Sequence, residues 1–190
     1  YGSIPVINGL TDFEHPCQVL ADLMTIREFK GSLDSLKLCY IGDGNNMANS
    51  LIAGALKTKM KISIACPKGY EPDKRIMEWA SNNSDFLCTT DILEAAKDAD
   101  VLYTDVWASM GQESETQIRK EVFKGYQIND QVMAVAKPDA MVLHCLPAHR
   151  EEEITEKVFE EHAKEIFEQA ENRLHAQKAV MVLLMKDEDR

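Results

Sequence analysis

Strand-like and helix-like segments alternate five times along this chain, and that alternation narrows its possible folds more than any other feature. Apolar runs at residues 36–41, 61–66, 86–89, 101–106 and 141–146 have the length and composition of buried strands. Each is followed by apolar residues at helical spacing, as with Leu51, Ile52, Ala55 and Leu56 after the first. Such a pattern predicts an α/β fold: a doubly wound five-stranded parallel sheet, Rossmann-like, with helices on both faces joined by right-handed crossovers. The expected strand order is 3-2-1-4-5, with a ligand crevice at the carboxyl ends of strands 1 and 4.

Local signals mark the boundaries. Pro16 suits the first turn of a helix that Lys30-Gly31 stops. Gly42-Asp43-Gly44-Asn45-Asn46 is a turn entering a helix, with Asn45 or Asn46 as its cap. Asp73 and Asp91 are caps for two further helices, and residues 129–135 form another. The charged run 150–153 reads as a solvated helix start. A last helix is expected over 170–185, with the all-round apolar run 179–185 buried.

With 190 residues the chain can fill one domain, and its net charge of -11 argues against a nucleic-acid or anionic-membrane partner. Five cysteines with no CxxC pair fit reduced thiols of a cytoplasmic protein better than a disulfide framework. No stretch approaches the length of a membrane span or has a signal-peptide pattern. The chain opens on Tyr1, in the apolar extended segment Ile4-Pro5-Val6-Ile7, which reads as part of something longer.

Three polar clusters fall at the expected crevice. Strand 1 delivers Asp43 to Asn46, strand 4 delivers Asp105 followed by Ser109-Met110-Gly111, and strand 5 delivers His144-Cys145-Leu146-Pro147. A helix N-terminus suits a carboxylate, and Asp105 can hold an amine. Together they describe the head of an amino acid, with Cys145 further along its side chain. A dinucleotide site fits poorly, because Met47 stands at the third small position and Cys66-Pro67 replaces the acidic residue. His144, Cys145 and His149 lack the paired spacing of a zinc site, so neither metal nor cofactor is expected. Adjacent strand residues point to opposite faces, which leaves His144 badly placed to activate Cys145 as a nucleophile.

Four motifs in order, His15-Pro16-Cys17-Gln18, Asp105-Val106-Trp107-Ala108-Ser109-Met110-Gly111, His144-Cys145-Leu146-Pro147 and Glu171-Asn172-Arg173, resemble those of the ornithine carbamoyltransferases over almost the whole chain. The resemblance implies that Asn46 and the Met110 N–H hold the ornithine α-carboxylate, while Asp105 and Ser109 hold its α-amino group. Cys145 and the Leu146 carbonyl meet the side-chain amine. His15, Gln18 and Arg173 reach carbamoyl phosphate, with Cys145 and Leu146 beside it; Cys145, Arg173 and His15 are the implied catalytic residues.

The family has two domains, and this chain is similar to the ornithine-binding one. The expected division is one ornithine-binding domain over 1–190, with an entry segment and interdomain helix at 1–31, an α/β core at 32–168 and a C-terminal helix at 169–190. The Ser-Thr-Arg-Thr-Arg phosphate loop of the carbamoyl-phosphate domain is not in this sequence, so the chain alone is expected to be inactive. The resemblance also implies a homotrimer or a multiple of trimers. The alternatives are an amino-acid-binding module without turnover, a transcarbamylase for putrescine or acetylated ornithine, and a non-catalytic Rossmann-like interaction domain.

Overall fold

The computed structural model describes residues 4–108 and 116–185. The elements run α1 (Pro16–Lys30), β1 (Lys37–Ile41), α2 (Asn46–Lys57), β2 (Lys61–Ala65), α3 (Lys74–Ala80), β3 (Phe86–Thr89), α4 (Ile92–Ala96), β4 (Val101–Thr104), α5 (Thr116–Val122), α6 (Asp130–Val135), β5 (Met141–His144), α7 (Glu156–Glu161) and α8 (Ala163–Met185). The five strands form one parallel sheet in the order β3-β2-β1-β4-β5, as the alternation predicts.

Side chains alternate between the two faces with the strand period of two. Leu38, Tyr40, Ile62, Ile64, Val101, Tyr103, Met141 and Leu143 join α1 and α2 in one core. Cys39, Ile41, Ala65, Leu102 and Val142 face the other way, against Ala95, Val132, Val158 and Ile166. Both faces are therefore covered, which is why the strands read as continuous apolar runs. Cys66 and Cys88 lie with sulfurs 3.9 Å apart, and all five cysteines are free thiols.

Strand β5 closes one edge of the sheet and would leave unpaired N–H groups. Helix α8 covers that edge: Glu165 accepts from the Val142 N–H at 2.9 Å, and Gln169 from the His144 N–H at 2.9 Å. Beside α8 runs α1, joined to it by a buried polar seam of Gln169 with Asp22 and of Asn172 with Thr25 and Glu28.

Three sequence expectations change. The last helix begins at Ala163, not near 170, because residues 163–169 supply the caps of β5. Its apolar end is not buried: Leu183 is 69% and Met185 78% exposed, since the helix outruns the elements that pack on it. The 150–153 run is a turn and not a solvated helix start; α7 opens later, at Glu156, and Glu153 is 0% exposed. Its carboxylate is drawn inside by the His144 ring and the His149 N–H.

Candidate active site

The turn after β1 brings the chain back against residues 70–72. A Cβ on Gly44 would stand 2.2 Å from the Pro72 nitrogen, so only glycine fits there. The turn delivers Asn45 as the α2 cap, its Oδ1 accepting from the Met47 and Ala48 N–H groups at 2.9 and 3.2 Å. Its Nδ2 donates to Asp105 Oδ2 at 2.9 Å. Asp105 is the first residue past β4, and its Oδ1 accepts from the Val106 N–H at 2.8 Å and the Cys145 thiol at 2.9 Å. Residues 45, 105 and 145, from three loops, thus form one hydrogen-bonded set at the α2 N-terminus.

Cys145 lies just past β5, which ends at His144. Burial pushes its thiol well above the ordinary value, and the Asp105 charge pushes it further. It is therefore a thiol at neutral pH, a hydrogen-bond donor and not a thiolate. His144 points elsewhere, as strand geometry requires. Its Nδ1 accepts from the Leu146 N–H at 2.9 Å, and its Nε2 faces Glu153 at 3.0 Å, so the ring braces the turn that presents Cys145. Leu146 holds φ of 57°, the left-handed region, within that turn.

Asn46 opens α2 beside this set and donates through Nδ2 to the Thr11 carbonyl at 2.8 Å, tying down the entry segment. His15 and Gln18 start α1 and are both buried. Burial, then the Arg173 charge, lowers the pKa of the His15 ring and keeps it neutral. His15 Nδ1 and Gln18 Oε1 are buried with no hydrogen-bond partner among the described residues. Arg173 lies one helical turn beyond Gln169 on α8, and its charge reaches both His15 and Asp22. Ser109 and Met110 lie outside the described residues. A groove of about 370 Å³ between α1 and α2, lined by Val19, Leu20, Leu23, Ala53 and Gly54 among others, contains none of these side chains.

Sequence reasoning missed the braces of this site. Arg119 is buried, donating to Asp43 Oδ2 at 2.7 Å and to the Trp107 carbonyl at 3.0 Å, and so pins the segment after β4 to the end of β1. Asp22 is fully buried at the α1–α8 seam. Neither carries a local signal, since Asp22 shares its helix face with Gln18 and Thr25, and Arg119 shares its own with Thr116.

Residues 34–184 match the family described as aspartate/ornithine carbamoyltransferase, Asp/Orn binding domain. This chain belongs to the aspartate/ornithine carbamoyltransferase family. Residues 1–28 match the carbamoyl-P binding domain of the same family. The chain is 55% identical over 188 residues to an ornithine carbamoyltransferase of Geobacter metallireducens, covering 98% of this chain and 62% of the relative. The ornithine carbamoyltransferase structure from Pyrococcus furiosus is 50% identical, with a TM-score of 0.89 over 97% of this chain and 61% of that one. The anabolic carbamoyltransferase of Campylobacter jejuni is 42% identical, with a TM-score of 0.91 over 97% of this chain and 63% of its own. The chain thus spans about three fifths of the length of these carbamoyltransferases. Among the described residues no helix is long and apolar enough to cross a membrane.

Proposed function

We propose that this chain is the ornithine-binding part of an ornithine carbamoyltransferase, which transfers the carbamoyl group of carbamoyl phosphate to the ornithine side-chain amine, giving citrulline and phosphate. The set Asn45, Asp105 and Cys145 at the N-terminus of α2 carries the reading. A helix N-terminus favours a carboxylate, and Asp105, with three donors on roughly four lone-pair positions, keeps room for an ammonium N–H. In this reading Asn46 and the Met110 N–H hold the α-carboxylate, and Asp105 with Ser109 the α-amino group. Cys145 and the Leu146 carbonyl meet the side-chain amine, and His15, Gln18 and Arg173 bind carbamoyl phosphate.

An alkyl amine has a pKa of ~10.4, so reaching the neutral nucleophile at pH 7 costs roughly 4–5 kcal/mol. Enclosure near Arg173 lowers that cost by desolvation and like-charge repulsion. Cys145, held as a thiol, orients the amine and forms no covalent intermediate. His15 acts as a neutral hydrogen-bonding group beside the carbamoyl oxygen, and Arg173 carries the positive charge that meets the developing phosphate.

The domain division belongs to the same proposal: residues 1–31 join two domains and the α/β core follows from residue 32, with the last helix starting at Ala163 and not at 169. The match of residues 1–28 to the carbamoyl-P binding domain supports a junction there. So do the bare apolar side chains of the last helix and of Val6, 91% exposed, which a second domain would cover. Trimeric assembly and a cytoplasmic location rest on the family resemblance.

Titrating the chain calorimetrically with ornithine and with norvaline, and assaying citrulline from the intact protein, tests this reading. Ornithine-dependent citrulline formation is expected. Turnover only with putrescine or acetylated ornithine, or no turnover in the intact protein, refutes it.

A further inference from the structure

The buried seam between α1 and α8 has a consequence for Gln18. Its Nε2 donates to Asp22 Oδ1 at 2.9 Å, one helical turn along α1. The same oxygen accepts from Gln169 Nε2 at 2.7 Å, and Gln169 also contacts the Tyr103 hydroxyl at 3.0 Å and accepts from the His144 N–H at 2.9 Å. An amide whose nitrogen is committed to a carboxylate must turn its oxygen the other way. Gln18 is 1% exposed, and that oxygen has no partner among the described residues. A buried acceptor is costly to leave bare, so this oxygen is suited to a donor that arrives with a ligand.

We propose that Asp22 is a positioning residue: its carboxylate fixes the Gln18 amide with its oxygen toward the carbamoyl group, and through Gln169 it ties that amide to the backbone of His144, the residue before Cys145. The inference rests on the function proposed above, in which the carbamoyl NH2 supplies the missing donor. Asp22 itself touches no substrate. Its acceptor role survives protonation, because a proton can occupy Oδ2, which has no partner among the described residues, while Oδ1 keeps both amides.

The test is steady-state kinetics of the intact protein with Asp22→Leu, which removes the acceptor, and Asp22→Asn, which keeps an oxygen for it. In Asp22→Leu the KM for carbamoyl phosphate is expected to rise about tenfold, the equivalent of one oriented hydrogen bond, with the ornithine KM within twofold at saturating carbamoyl phosphate. Asp22→Asn is expected to restore most of the loss. In a Gln18→Ala background, Asp22→Leu adds nothing further if Asp22 acts through Gln18. Asp22→Ser, smaller and polar, carries the same comparison if Asp22→Leu does not fold. Equal shifts in both KM values, or none, in an active parent overturn this role while leaving the function standing. A parent that forms no citrulline overturns both.

Discussion

Replacing Asp22 with Asn should change how the stability of this chain responds to pH, by an amount the structure sets. Asp22 is fully buried, and desolvation raises its pKa from 3.8 to about 7, against the opposing hydrogen bonds of the Gln18 and Gln169 amides and the charge of Arg173. The folded state therefore holds the Asp22 proton more tightly than the unfolded chain does. That stabilisation is fully present below pH 3.8 and is lost as pH rises through about 7. A rise of roughly three pKa units at 1.36 kcal/mol each is on the order of 4 kcal/mol. Asn cannot titrate. It keeps an acceptor for both glutamines but turns an N–H2 toward the unpartnered Oδ2 position, at about 1–3 kcal/mol. The stability of the parent relative to Asp22→Asn should therefore fall by about 4 kcal/mol between pH 4 and pH 8. Urea unfolding of both across that range measures the difference, in which the other ionisable groups largely cancel. Difference curves flat to within about 1 kcal/mol refute the assignment of a raised carboxyl to Asp22.

Two further outcomes follow from the site. Cys145, with a thiol held well above its ordinary pKa by burial and Asp105, should react with iodoacetamide at pH 8 far more slowly than free cysteine, as followed by peptide mass spectrometry; rapid alkylation contradicts the donor role. Gly44→Ala should cost on the order of 3 kcal/mol or more in urea unfolding, because its Cβ meets the backbone of residues 70–72, which cannot swing aside.

The sheet and the meeting of Asp105 with Cys145 at its rim were legible because both rest on local signals. Five apolar runs with helical spacers permit few topologies, and the rule that ligands sit at carboxyl strand ends then brings Asp105 and Cys145 to one rim. Asn45 was open as the cap, since its neighbour is chemically identical; hydrogen-bond geometry alone decides between them. Glu153 was misread because three glutamates in a row look solvated, and a buried imidazole from a strand nine residues earlier leaves no mark on that run. The exposure of residues 181–185 was invisible for the opposite reason. An apolar run says that a surface wants covering, but not whether this part of the chain supplies the cover. Nor could composition distinguish Asp22 from a surface carboxylate, because its partner Gln169 comes from an element far along the chain.

The edge of the sheet gives a physical ground for the place proposed above for Arg173, remote as it is in the chain. Glu165, Gln169 and Arg173 follow at intervals of four on α8 and so share one face. Four helical residues advance about 6 Å, and two strand residues about 6.6 Å. A helix lying along a strand edge can therefore keep step with it. Glu165 meets the Val142 N–H and Gln169 meets the His144 N–H, two strand residues on. One more helical turn brings Arg173 onto the same face of α8, where its charge reaches His15 and Asp22. The side chains that satisfy an exposed strand edge thus also set the register of the cation. Inserting one residue between Asn172 and Arg173 would rotate the guanidinium about 100° away from that face while leaving both edge caps and the Asn172 seam contacts intact. Such a variant should keep the fold and lose response to carbamoyl phosphate. One helix face thus carries both the backbone caps of β5 and the Arg173 cation.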